Sequence, residues 1–170
     1  MHRFHLVTVF NDETDMNHQS ASDQTFNRTV LIDAPASTVW EALTNPASMK
    51  KWMSDTEIEI LTDWTVGSPF LIRGRLHGIK FENKGKVLGF EAGKLLRYSH
   101  LSSLSRLPDQ DESYSVFEFR LTPIDQQTSL TLTLSNFPTE SIYKHLVFYW
   151  SVTLEMIKKM IEKPEEPLRS

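Results

Sequence analysis

Residues 139–163 read TESIYKHLVFYWSVTLEMIKKMIEK, and this run has the apolar periodicity of one long helix. Thr139 suits the N-cap, Glu140 complements the positive end of the helix, and Pro164 ends it. A continuous apolar stripe follows the helix and consists of Tyr143, Leu146, Val147, Trp150, Leu154, Ile157 and Ile161. At ~1.5 Å per residue, a helix over 140–162 is about 35 Å long, which is enough to cross a whole sheet.

Six segments ahead of this helix show the alternation or the β-branched and aromatic composition of strands. We predict these strands at 56–61, 69–77, 80–90, 94–102, 114–122 and 128–136. In the last of them, Leu130, Leu132 and Leu134 alternate with polar residues, which is typical of a half-buried strand. Because short turns join successive strands, we expect an antiparallel meander.

A further strand and two short helices precede these six segments. Alternation from Phe26 to Ile32 predicts the first strand. The helix after it, with Pro35 in its first turn, has an apolar stripe of Ala36, Val39, Trp40 and Leu43. Asn45 and Pro46 fit the N-cap and first position of a second helix, whose buried side is Met49, Trp52 and Met53.

This order of elements predicts an α+β domain, in which a curved antiparallel sheet of about six to seven strands wraps around the last helix. Only that helix is long enough to cover the concave apolar face, and any space left between helix and sheet would form a cavity. We assign residues 26–164 to this single domain, 1–25 to a polar, mobile lead-in and 165–170 to a short tail.

Composition excludes several classes of site and partner. The 170 residues include no cysteine, which excludes disulfides, thiolate metal sites and a cysteine nucleophile. A formal net charge of −4 gives no electrostatic footprint for nucleic acid. The longest apolar run near the start, residues 6–10, is too short for a signal-peptide core or a membrane span. We therefore expect a cytoplasmic protein with no nucleic-acid or membrane partner.

The common catalytic and cofactor motifs are missing: GxGxxG, the phosphate loop, HExxH and GxSxG. We accordingly predict no cofactor and assign no catalytic residue. A metal site of His77, His100 and His145 would require their rings to converge within about 2.1 Å of one ion, and we predict none. Instead we expect His77 on a strand face, and His100 and His145 hydrogen-bonded near a pocket. Arg73 and Arg75 share the strand face of His77, which we interpret as exposed basic surface in preference to an anion site.

Several longer runs are similar to those of a known family. Residues 32–46, IDAPASTVWEALTNP, followed by MKKW at 49–52, resemble the opening of SRPBCC proteins related to the activator of the heat-shock-protein-90 ATPase. Residues 81–88, FENKGKVL, and 96–100, LRYSH, look like the central strands of that family.

The resemblance continues to the end of the domain and covers about residues 26–163. The loop 104–114 fits one bacterial, single-domain branch of the family. The ending matches through Thr139, Glu140, His145, Trp150, Leu154, Lys158 and Lys159. The resemblance implies the helix-grip, START-like fold, but the superfamily includes lipid and hormone carriers, aromatase/cyclase-like enzymes and a chaperone-activating domain, so it implies no single activity.

Our leading functional prediction is a non-enzymatic binder of a small, mostly apolar ligand in a cavity between the sheet and the last helix. The candidate wall residues are Tyr98, His100, Phe117, Phe119, Leu146, Tyr149 and Trp150. Tyr98, His100 and Tyr149 would supply the polar contacts that orient the ligand. The alternative for these residues is a close-packed interior without a cavity.

Two other classes of function stay open at this point. The first is a partner-binding domain, for a chaperone or for a second copy in a homodimer, with Phe137, Phe148 or the loop 101–108 on an exposed patch. The second is a cyclase- or dehydrase-like enzyme that uses His100 or His145 as an acid or base, since histidine titrates near neutral pH.

Overall fold

The predicted strand and helix patterns fold into ten main elements within residues 20–163, which the computed structural model describes. The strands are β1 (Phe26–Ile32), β2 (Ile58–Leu61), β3 (Pro69–Leu76), β4 (Ile79–Glu91), β5 (Leu95–Ser102), β6 (Ser115–Ile124) and β7 (Gln127–Ser135). The helices are α1 (Ala36–Thr44), α2 (Pro46–Met53) and α3 (Glu140–Glu162). A 3-10 turn, Ala21–Asp23, lies in the predicted lead-in; the rest of that segment up to residue 19, Pro164 and the predicted tail fall outside the described residues.

All seven strands form one antiparallel sheet in the order β1-β7-β6-β5-β4-β3-β2. From β2 to β7, each strand pairs with the next one along the chain, as expected for a meander. The first strand then returns beside the last, with Phe26 opposite Leu134 and Ile32 opposite Thr128. This arrangement, with the long α3 at the end, confirms the predicted α+β helix-grip fold.

The predicted caps explain where the helices begin. Asn45 precedes α2 and accepts a hydrogen bond from the backbone N–H of Ala47 at 2.9 Å. Thr139 precedes α3 and accepts one from the backbone N–H of Ile142 at 3.2 Å. Pro35 lies at the N-cap of α1, one residue ahead of the predicted position in the first turn.

The prediction of a strand-face His77 is wrong, because β3 ends at Leu76. His77 and Gly78 form a two-residue hairpin loop, across which Leu76 pairs with Ile79. Both loop residues have positive φ, 49° and 79°, as a tight hairpin turn of this twist requires. Glycine adopts a positive φ without strain, and histidine is among the other residues that tolerate one. Because His77 lies in this turn, it does not continue the strand face of Arg73 and Arg75.

The long helix is anchored to the edge strand β1 near its carboxyl end. Lys158 Nζ donates to the carbonyl oxygen of Leu31 at 2.6 Å, and the backbone N–H of Asp33 donates to Glu162 Oε1 at 2.9 Å. The helix buries a stripe against the sheet, made of Ile142, Leu146, Trp150, Thr153, Leu154 and Ile157. Along residues 145–156, in the middle of α3, packing against the sheet is incomplete.

Candidate functional site

A cavity of about 350 Å³ lies between the sheet and the middle of α3. The sheet wall, from β2 to β6, consists of Ile58, Ile72, Leu76, Phe81, Asn83, Tyr98, His100 and Phe117. The helix wall consists of His145, Leu146, Phe148, Tyr149, Trp150, Val152, Thr153 and Met156. Residues 52–56, at the end of α2 and in the loop after it, line a third side. The volume falls at the lower end of the range of roughly 300–1,000 Å³ that is typical of small-molecule sites.

The strands β4 and β5 approach each other unusually closely beside the cavity. A Cβ atom on Gly85 would lie 1.7 Å from the carbonyl oxygen of Ser99, so no residue with a side chain fits there without moving the backbone. At the next residue, the backbone N–H of Lys86 donates to Ser99 Oγ at 2.9 Å. The absence of a side chain at Gly85 therefore allows β4 and β5 to lie this close together.

Trp150 of α3 lies at the centre of an aromatic cluster beside the cavity. Its ring lies edge-on to Phe117, Phe119 and Trp52, with centroid distances of 5.6, 5.5 and 5.9 Å. The indole N–H of Trp52 donates to the carbonyl oxygen of Ala42 at 2.8 Å, which ties α2 to α1. The cluster gives the cavity a wall of packed rings.

The structure brings together six of the seven predicted wall residues: Tyr98, His100, Phe117, Leu146, Tyr149 and Trp150 all line the cavity. Phe119 does not, because it is only 1% exposed and lies behind the wall. Its ring packs against Tyr98, with centroids 6.2 Å apart, and against Trp150. Alternation correctly places Phe119 on the inner face, but it cannot tell that Trp150 occupies the space in front of it.

Two tyrosines and two histidines line the cavity, Tyr98 and His100 from the sheet and His145 and Tyr149 from the helix. Burial, and to a lesser extent the neighbouring His145, lowers the pKa of His100 to about 4. Burial also lowers the pKa of His145 and raises the pKa of both tyrosines. At neutral pH these four groups are therefore uncharged, and they can form hydrogen bonds without bringing charge into the cavity.

The cavity is nearly free of formal charge. Among the described residues that line it there is no lysine or arginine, and the one carboxylate is the exposed Asp55. The imidazole of His100 stacks on Phe117, with centroids 4.9 Å apart and an angle of 20° between the planes. The site therefore favours contacts with apolar surface and with neutral polar groups.

Sequence reasoning missed Asn83, a polar residue in the sheet wall. Its side-chain oxygen is buried and has no hydrogen-bond partner among residues 20–163. A buried amide oxygen without a partner costs about 1–3 kcal/mol. The signal was present in the alternation of β4, where Glu82 and Lys84 form ion pairs with Arg73 and Asp109, so that Asn83 points to the opposite, inner face.

The three histidines of the candidate metal site do not lie together, and Arg73 and Arg75 lie outside the cavity. His100 and His145 both line it, whereas His77 lies in the β3–β4 turn. No group of three or more histidine, aspartate or glutamate side chains suited to a metal ion is present in the described part of the chain. Arg73 and Arg75 are exposed, and Arg73 Nε donates to Glu82 at 2.6 Å.

The predicted partner-binding patch is only partly exposed. Phe137 is fully buried and packs edge-on against Tyr143, with centroids 4.9 Å apart, so the expectation that it is exposed is wrong. Leu101, at the start of the loop 101–108, is buried as well. Phe148 is 57% exposed on α3, and Val152 lies one turn further along with 37% exposure.

Comparison with known proteins identifies the family. Residues 33–162 match the family model described as activator of Hsp90 ATPase homolog 1-like protein. The chain belongs to this family. The match spans the helices and strands that form the cavity, from α1 to α3. No curated protein matched the chain, and no helix among the described residues is long and apolar enough to cross a membrane.

Solved structures share the fold. The solution structure of ChR145 from Cytophaga hutchinsonii is 35% identical, with a TM-score of 0.72 over 82% of this chain and 94% of that one. A structure described as the Aha1 dimer from Colwellia psychrerythraea is 23% identical, with a TM-score of 0.65 over 84% and 99% of the two chains. CalU16 from Micromonospora echinospora is 22% identical, with a TM-score of 0.61 over 84% and 77%. The last two similarities concern the fold alone.

Proposed function

We propose that this protein binds a small, neutral, mostly apolar molecule between the sheet and α3, and that the cavity serves binding and not chemistry. The observation that carries the proposal is a cavity of about 350 Å³ with largely apolar walls and a few uncharged polar groups. Small-molecule sites combine apolar walls with a few polar groups in this way, because the walls supply affinity and the polar groups supply orientation.

The preference for a neutral ligand follows from the cost of burying an unpaired charge. A carboxylate or phosphate inside the cavity would find no lysine or arginine among the described lining residues. An ammonium group would find only Asp55, which is exposed. Burying an ion without a partner costs far more than the burial of a comparable apolar group returns, so charged ligands are disfavoured.

The preference for binding over catalysis rests on the surroundings of His100. An acid–base histidine usually works with a second group that orients its ring, often a carboxylate. His100 instead lies flat against the apolar ring of Phe117.

The four tryptophans offer a test with an internal control. Trp52 and Trp150 line the cavity, whereas Trp40 and Trp64 pack against Phe90 outside it. We expect a neutral aromatic probe such as naphthalene to shift the indole N–H signals of Trp52 and Trp150 in a two-dimensional NMR titration. The signals of the other two tryptophans should move little. Equal shifts of all four, or no shift in the cavity pair, would contradict the proposal.

A cavity-filling variant makes the test stricter. Ile72→Trp places a large ring in the sheet wall, while Ile79→Trp changes a 56% exposed position at the start of β4 outside the cavity. We expect Ile72→Trp to weaken probe binding at least tenfold and Ile79→Trp to leave it unchanged. Equal binding by both variants would place the probe elsewhere on the protein.

We propose self-association through α3 as a second candidate function. Phe148 and Val152 form an exposed apolar pair, and one protein of the same fold is described as a dimer. Sedimentation of Phe148→Ser, compared with Leu88→Ser on an exposed position of β4, tests this candidate. A dimer that only Phe148→Ser dissociates supports it, and a monomeric wild type contradicts it.

A further inference from the structure

Asn83 is the feature of the cavity that the proposed binding of an apolar molecule leaves unexplained. It lies in the middle of the sheet, on β4, opposite Ile72 of β3 and Ser102 of β5. An aliphatic residue would suit an apolar wall at this position. Asparagine instead brings an amide whose buried oxygen has no donor within residues 20–163. Native proteins rarely leave such a group unpaired, and a ligand is one source of the missing partner.

Two histidines add polar groups to the sheet wall and to the helix wall of the cavity. His100 lies on the adjacent strand β5, and His145 lies on the facing helix α3. His145 is close enough to contribute to the lowered pKa of His100. A neutral imidazole has one nitrogen that donates and one that accepts. A ligand group that reaches Asn83 therefore meets both donors and acceptors.

We propose that the ligand carries a hydroxyl group, as an alcohol or a phenol, which binds at Asn83 and His100 while its apolar body rests on the aromatic wall. This inference rests on the proposed function and specifies the chemical class of the ligand. A hydroxyl donates one hydrogen bond and accepts others, so it pairs with the amide of Asn83 whichever of its two ends faces the ligand. An ether or ketone only accepts and leaves the amide oxygen unpaired.

Four probes with one apolar body distinguish these cases: 2-naphthol, 2-methoxynaphthalene, naphthalene and 2-naphthoate. Titration of the full chain at neutral pH, by calorimetry and by the tryptophan signals, gives an affinity for each probe. We expect 2-naphthol to bind about tenfold more tightly than 2-methoxynaphthalene, a difference of about 1.4 kcal/mol. The anion 2-naphthoate should bind more weakly than either of these two.

The variant Asn83→Leu removes the amide at similar size and should abolish most of the preference for 2-naphthol while leaving the affinity for naphthalene within about twofold. Asn27→Leu is the matched control, because Asn27 is exposed on β1 and its oxygen accepts from Thr133 at 2.6 Å, far from the cavity. The control should keep the wild-type preference. The comparison of probes on the wild-type protein stands even where Asn83→Leu does not fold.

Each outcome separates the two proposals. Similar affinities of the wild type for the three neutral probes would overturn the hydroxyl proposal and leave the proposed function standing. Tightest binding of the anion 2-naphthoate would overturn both proposals, because the proposed function specifies a neutral ligand. An unchanged preference in Asn83→Leu would overturn the hydroxyl proposal alone. Failure of all four probes to bind would overturn the proposed function, and this inference with it.

Discussion

Replacing His100 should flatten the pH dependence of stability. The folded protein holds the pKa of this imidazole at about 4, chiefly through burial, whereas the unfolded chain should have an ordinary value of about 6.5. Between these values the unfolded state binds the proton and the folded state does not, so stability is present above pH 6.5 and falls as the pH decreases toward 4. The difference of about 2.5 pKa units corresponds to roughly 3 kcal/mol. Urea unfolding of the wild type and of His100→Gln, at intervals from pH 7 to pH 4, measures this loss.

The difference between the two curves isolates the histidine from other titrating groups. Hydrogen bonds lower the pKa of Asp63, Asp109 and Glu162. The contribution of these carboxylates to the stability of the protein is therefore lost mainly below their ordinary pKa near 4. His77→Asn is the matched control, because it removes an imidazole from an exposed turn outside the cavity and suits the positive φ there. Parallel curves for wild type and His100→Gln across this range would show that burial of His100 does not cause the loss of stability at low pH.

Three further predictions concern stability in urea. Trp150→Ala should cost about 3–5 kcal/mol because it empties the aromatic cluster. Phe148→Ala, at a 57% exposed position at the rim of the cavity, should cost less than about 1 kcal/mol. Gly85→Ala should destabilise by about 1–3 kcal/mol or more, because its Cβ would meet a backbone carbonyl of β5; Gly89→Ala, with ordinary contacts of 3.4 Å or more, should change stability by less than about 0.5 kcal/mol. Asn45→Ala should cost about 1 kcal/mol through loss of the α2 cap. A smaller loss in Trp150→Ala than in Phe148→Ala, equal effects of the two glycine changes, or no loss in Asn45→Ala would contradict the corresponding prediction.

The fold was predictable because local patterns agree with the tertiary structure. The period of the apolar stripe and the cap at Thr139 place the last helix at 140–162, which are its bounds in the structure. Alternation places the inner faces of β6 and β7 correctly. The error at His77 arose because a two-residue turn overrides the apparent continuation of a strand.

The extent of the cavity could not be predicted, because it depends on contacts between distant parts of the chain. The hydrogen bond from Lys158 to Leu31 spans 127 residues and fixes the carboxyl end of α3 against β1. The position of that end decides which residues the rest of the helix covers, and hence that Phe119 is covered while Phe81 and Asn83 line the open space. Alternation of strand residues gives the face of a side chain but not its distance from the facing helix.

Native mass spectrometry of the freshly purified protein, compared with its denatured mass, shows directly whether the cavity holds a ligand. We expect a non-covalent adduct of a neutral organic molecule, which is lost on denaturation and absent from Ile72→Trp. After removal of that adduct, 2-naphthol should bind with a stoichiometry of one per chain. A clean mass in every preparation, together with no bound 2-naphthol, would contradict the claim that the cavity is a ligand-binding site.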